Sequence, residues 1–231
     1  MIKEELVKRS PIRILEKTIH GGLGIGNLGM FIAKKGVGKT ACLVHFATDH
    51  LLRGKKALHL SFSDDPQHIA SWYQQVYEEV ATVYKLEQAT LIFDEILHNR
   101  LILHFKQQKS GLDAIINSLN IYINQGGFQP EIMIVDGLNF ASTDRQELAK
   151  WREIAIKYHT QIWFSATLPA SENSAPEFIR PYIDQFSVVI ELNTQKDHIQ
   201  LHLLKDHEAT ELEQLRLRLD PKSLLISNRR V

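Results

Sequence analysis

The stretch Gly29 to Ala47, GMFIAKKGVGKTACLVHFA, constrains the fold more than any other part of the chain. A short apolar run, Met30-Phe31-Ile32, leads into Ala33-Lys34-Lys35-Gly36-Val37-Gly38-Lys39-Thr40. An apolar pattern at helical spacing follows through Cys42, Leu43, Phe46 and Ala47. Strand, glycine loop and helix, in that order, is the context that a phosphate-binding loop requires. Such a loop must curl so that several backbone N–H groups point at one phosphate chain, and Gly36 and Gly38 permit the curl because they carry no Cβ. The helix aims its positive N-terminal end at the same anion. Lys39 is then expected to reach the β- and γ-phosphates, and the Thr40 hydroxyl to bind Mg²⁺. Ala33 stands where the strict pattern has Gly, while the Gly-Lys-Thr end is intact.

Composition narrows what can be built on that unit. A length of 231 residues, with 44% hydrophobic, suits a single α/β domain spanning residues 1–231 with a substantial core. Lys+Arg and Asp+Glu are both 27, so the formal net charge is zero and there is no global attraction for nucleic acid. The single cysteine, Cys42, excludes an internal disulfide and a Cys-based zinc site, and reads as a small core residue. Residues 1–20 are charged and lack the apolar centre of a signal peptide, and no run approaches membrane-spanning length. A cytoplasmic protein with no membrane partner is expected.

Further along, Glu131-Ile132-Met133-Ile134-Val135-Asp136 reads as a buried parallel strand whose carboxylate emerges at the carboxyl edge of a sheet. Ligands of open α/β sheets collect at that edge, and there Asp136 can share with Thr40 the holding of Mg²⁺. Ala57 to Phe62 is another buried strand. Ser63-Asp64-Asp65-Pro66 ends it, with Asp65 as the cap and Pro66 in the first turn of a helix to about Lys85. The aromatics Trp72, Tyr73, Tyr77 and Tyr84 on that helix read as packing. Gln88 to His98 is helical, Leu101 to Phe105 a strand, and Gly111 to Asn124 a helix capped by Ser110.

A helix at about Arg145 to His159 precedes the strand Gln161 to Thr167, whose Ser165 and Thr167 would lie near the γ-phosphate if it neighbours the Asp136 strand. Before the glycine loop, Ile12, Leu15 and Ile19 share one helical face, and Gly21 to Gly29 is a turn delivering the chain into the first core strand. Ser171 to Pro181 reads as loop. The last part, about residues 185–231, alternates as strands at Phe186 to Leu192, His198 to Leu204 and Leu215 to Leu219. The fold class expected is therefore α/β, a mainly parallel sheet flanked by helices, with a C-terminal antiparallel β-hairpin extension.

The order Gly21-Gly22-Leu23, the loop Ala33 to Thr40, Ser61-Phe62-Ser63-Asp64, Asp136, and a late hairpin carrying Lys205 resembles the RecA superfamily of P-loop ATPases, in its KaiC-like and RadA-like branch, from about Ile12 to about Ile226. The resemblance implies a RecA-like core that binds ATP and Mg²⁺. Its cofactor-binding set would be Ala33, Lys34, Lys35, Gly36, Val37, Gly38, Lys39, Thr40 and Cys42, with Thr40 and Asp136 as metal ligands. It implies catalytic roles for Lys39, for Asp64 as the base, and for Lys205 as a finger reaching a neighbouring subunit in a ring or filament. Two positions depart from the family pattern. Ser63 stands where a Glu activates water, and His207 stands where a Lys-x-Arg element has its Arg. A neutral hydroxyl is a poor general base.

Three functions follow. The first is an ATP·Mg²⁺ module with slow or partner-stimulated hydrolysis coupled to conformational or assembly change. The second is a nucleotide sensor that does not hydrolyse. The third, a DNA-dependent recombination or helicase accessory, is disfavoured by the short, hardly basic stretch Asn139 to Arg145. Lys34 also resembles the second-position lysine of MinD- and ParA-type loops. The late position of the loop and the terminal hairpin speak against that family.

Overall fold

The computed structural model describes residues 3–106, 111–172 and 174–228. It is an α/β fold around a nine-stranded sheet, mostly parallel and flanked by helices. The strands are β1 Leu28–Ala33, β2 Ala57–Ser61, β3 Arg100–His104, β4 Ile132–Asp136, β5 Gln161–Thr167, β6 Val188–Thr194, β7 Ile199–Asp206, β8 Leu217–Leu219 and β9 Ile226–Asn228. Their order across the sheet is β3-β2-β4-β5-β1-β6-β7-β8-β9. Every pair from β3 to β6 is parallel, and β6 to β9 form an antiparallel series.

The helices are α1 Lys3–Arg9, α2 Pro11–Thr18, α3 Lys39–Leu52, α4 Pro66–Val83, α5 Ala89–Leu97, α6 Leu112–Leu119, α7 Arg145–Lys157 and α8 Ala175–Ile179. The parallel strands are apolar on both faces, as strands covered on both sides must be. Phe31, Ile134 and Trp163 pack with α2, α3 and α4 on one face. Met30, Ile32, Leu60, Val135 and Phe164 pack with α6, α7 and α8 on the other. Helices following β1 and β2 thus lie on one face, and those following β4 and β5 on the opposite face. Neighbouring strands β1 and β5, and likewise β2 and β4, therefore send their chains apart and leave crevices at the carboxyl edge, where α/β sheets bind ligands.

Local chemistry explains most boundaries. Asp65 caps α4, its Oδ1 accepting the amides of Gln67 and His68 at 2.9 Å each, with Pro66 in the first turn. Tyr73 and Tyr77 are buried, so the aromatic face of α4 is packing. Ile12, Leu15 and Ile19 are buried as the periodicity predicts. Arg13 ties α2 to the buried Asp49 of α3.

Besides Gly29, which reads as the end of a turn but lies inside β1, four expectations need correction. Residues 3–9, read only as part of a charged N-terminal stretch, form a helix of their own, α1, which ends before Ser10 caps α2. The stretch Ser171 to Pro181 contains α8, whose first turn accommodates Pro176 because a helix needs no N–H there. The helix expected over 111–124 is α6 followed by a π-helical turn, Asn120–Gln125; Ser110, its expected cap, lies outside the described residues. A ninth strand, β9, follows the expected hairpin and pairs with β8.

Candidate functional site

Gly36 and Gly38 both take left-handed backbone conformations, with φ of +80° and +101°. Gly38 is the N-cap of α3, and among the described residues no side chain caps the first turn of that helix. Its leading amides therefore face the loop without an intramolecular acceptor from a capping side chain. Lys34 and Lys35 are exposed, Val37 and Gly38 half-buried. Cys42 is fully buried within α3, and burial pushes its thiol far above the ordinary value, so it belongs to the core and not to the loop surface.

Lys39 is the unusual member. Its side chain curls back under the loop, and Nζ donates to the carbonyls of Ala33 at 3.2 Å and Lys34 at 3.0 Å. Only 8% of the residue is exposed. Burial lowers its pKa, and the negative charge of Asp136 opposes that shift. Among the described residues no carboxylate lies within ion-pair distance of this ammonium.

Thr40 Oγ1 donates to Asp136 Oδ2 at 2.8 Å. That contact spans β5, which lies between β1 and β4 in the sheet. It works because Asp136 shares strand parity with Ile132 and Ile134, which face α3. The other carboxylate oxygen accepts from Ser165 Oγ, and the Gly137 amide donates to Ser165 Oγ at 2.9 Å. Ser165 on the neighbouring strand thus orients Asp136 and fixes the turn after it. Thr167 ends β5 opposite Ala33 and is exposed.

Compared with family models and with curated proteins, the chain matches none. The remaining residues singled out in the sequence are therefore placed by geometry. Asp64 follows the end of β2, where Ser61 is in register with Asp136 on the adjacent strand. Ser61 Oγ donates to the Asp64 carbonyl at 2.7 Å and accepts the Asp64 amide at 3.0 Å. His104 Nδ1, at the end of β3, donates to the same carbonyl at 2.8 Å. The backbone of Asp64 is thus clamped, while its carboxylate stays half-exposed and accepts from Ser63 Oγ at 3.3 Å. Asp65 is occupied as the α4 cap. Sequence reading missed His104, whose one signal is that it ends a strand beside β2.

Lys205 does not join this group within the chain. It pairs with Val189, which in turn pairs with Met30, well before the carboxyl end of β1. Its ammonium donates to the Ile183 carbonyl at 3.0 Å. His207 lies at the amino edge, with Nδ1 2.7 Å from the buried Asp206 and Nε2 3.3 Å from the Leu23 carbonyl.

Two oxygens, Thr40 Oγ1 and Asp136 Oδ2, converge beside a buried lysine. Among the described residues no three His, Cys, Asp or Glu side chains cluster as a metal cage. Mg²⁺ sites commonly use one or two protein oxygens together with phosphates and waters, and Thr40 and Asp136 are the residues here that could supply them. A cleft of about 370 Å³, lined by Phe62, Leu138, Asn139, Thr143 and Glu147 among others, opens beyond Gly137. Among the described residues no helix is long and apolar enough to cross a membrane.

Proposed function

We propose that this chain is a RecA/KaiC-like module that binds ATP with Mg²⁺ at the loop Ala33–Thr40 and hydrolyses it slowly or when a partner stimulates it. The observation that carries the reading is the convergence of Lys39, Thr40 and Asp136 at the carboxyl edge of the sheet. The buried Lys39 ammonium has two carbonyls as partners and, among the described residues, no counter-charge in contact. A polyphosphate supplies that charge, and the loop amides and the uncapped start of α3 add donors. Thr40 and Asp136 would hold Mg²⁺, which when bound neutralises phosphate charge. Ser165 keeps the Asp136 carboxylate turned toward Thr40.

Hydrolysis needs a group that positions the attacking water or accepts its proton. Asp64 is the unspent acid at the end of β2, since Asp65 caps α4. A second reading, binding without turnover, is favoured by Ser63, which offers a hydroxyl where a longer acid would reach. Lys205, bonded to Ile183 in its own chain, would have to release that carbonyl to act on a neighbour in a ring or filament.

The test is an ATP titration with and without Mg²⁺ on wild type, Thr40→Ala and Asp136→Asn, followed by phosphate release. Mg²⁺ should tighten binding to wild type and lose most of that effect in both variants. Equal Mg²⁺ dependence in all three contradicts the assignment. Phosphate release abolished by Asp64→Asn supports the ATPase, whereas tight binding with no release selects the sensor.

A further inference from the structure

The C-terminal strands are built against the loop. A Cβ placed on Gly38 would lie 2.5 Å from Leu219 Cδ2 and 3.9 Å from Ile199 Cδ1. At Gly36, by contrast, no atom of the other described residues beyond its chain neighbours comes within 4 Å of that position. Gly38 is therefore a glycine for two reasons: its φ of +101°, and a leucine occupying the space where a side chain would go. Val37 packs against the same apolar cluster.

Register extends the contact into a row. Ile199 of β7 pairs with Leu219 of β8, and Leu219 pairs with Ile226 of β9. At the far end of the row the Ile226 amide donates to His45 Nδ1 at 3.1 Å, with both residues buried. His45 belongs to α3, the helix that starts at Lys39. One cross-strand row thus touches the second loop glycine at its centre and the helix after the loop at its end.

Resting on the phosphate reading of this loop, we infer that the Ile199–Leu219–Ile226 row supports the anion-binding curl, with Leu219 as a positioning residue, and that nucleotide occupancy and ordering of the β8–β9 ribbon are coupled. A loop with two left-handed glycines has wide freedom of its own. Binding is tightest when its donors are already aimed, and the leucine shelf removes the alternative positions of Gly38. Coupling is reciprocal, so whatever orders the ribbon tightens ATP, and ATP orders the ribbon.

The experiment measures Mg·ATP affinity of the full chain by calorimetry for wild type, Leu219→Ala, Leu219→Met and Leu201→Ala. Leu201 is buried in the same cluster, but none of its atoms lies within 4 Å of the Gly38 Cβ position. Residues that orient metal ligands from behind are worth about ten- to a hundredfold in affinity, and the same order is expected for a residue that aims the loop. Leu219→Ala should weaken binding by that order, Leu219→Met should restore most of it, and Leu201→Ala should lower the melting temperature with affinity kept. Hydrogen exchange on wild type should show Mg·ATP protecting the amides of 217–228.

Equal affinity of wild type and Leu219→Ala overturns the inference and leaves the phosphate reading standing, as does an equal loss in Leu201→Ala. If Leu219→Ala does not fold, unchanged exchange at 217–228 with ATP bound overturns it. A wild type that binds no nucleotide sinks the phosphate reading itself.

Discussion

Gly137 is where backbone and chemistry meet most tightly in single residues. It follows Asp136 with φ of +80°, and a Cβ there would lie 2.8 Å from Ser63 Oγ and 3.0 Å from Ser63 Cβ. A left-handed non-glycine residue costs about 1–2 kcal/mol, and overpacking adds about 1–3 kcal/mol. Gly137→Ala is therefore expected to lower the melting temperature by several degrees. The double variant Gly137→Ala with Ser63→Gly should recover only part of the loss; full recovery would mean that the backbone conformation is unstrained. His45 carries a second expectation. Burial lowers its pKa from 6.5 to about 4. The unfolded chain then holds the extra proton between those values, so stability falls as pH drops from 6.5 toward 4, by at most about 1.4 kcal/mol per pH unit. His50, at about 3, and His59, at about 4, add in the same direction. His45→Gln keeps an acceptor for the Ile226 amide without a titrating group. Chemical denaturation at pH 6.5 and 5.5 should show a flatter dependence for the variant, and identical slopes would contradict the assignment.

Elements were legible in proportion to how local their signals are. Asp65-Pro66 fixes the start of α4 from two adjacent residues, and β4 and β5 are short apolar runs that read directly as buried strands. Gly29 shows the opposite case. It reads as the last glycine of a turn, yet it lies inside β1, because Trp163 of β5 fills the space above it. A Cβ on Gly29 would lie 2.6 Å from the Trp163 ring. Trp163 also stacks on Phe31 and meets Phe46 edge-on, tying β5 to β1 and α3. Gly29→Ala should thus destabilise the fold by about 1–3 kcal/mol, measured by urea unfolding, although strand interiors ordinarily favour Ala over Gly. A stabilised variant would show that the ring can move aside. β9 left little trace, since three residues, Ile226-Ser227-Asn228, are too few for alternation to register. The role of Leu219 was hidden for a different reason, as its contact with Gly38 is set by tertiary packing between remote segments.

Across the whole molecule, the loop Ala33–Thr40 and Asp136 stood out in the sequence because each ends a strand in chemistry-bearing residues. What brings them together, the insertion of β5 between β1 and β4, is a matter of strand order that no local pattern encodes. Lys205 illustrates the same limit: its place in a late strand was legible, while its level in the sheet, near Met30, was not. If ATP binds only the folded chain, it stabilises by about 2.7 kcal/mol at a hundredfold excess over Kd, or roughly 5–10 °C in a chain of this size. The most direct measurement is calorimetric titration of wild type and Lys39→Ala with ATP in the presence of Mg²⁺. Saturable one-site binding to wild type, lost in a Lys39→Ala variant that remains folded, is the result expected. Absence of binding to wild type, or equal binding to both, would contradict the assignment of this loop as a nucleotide site.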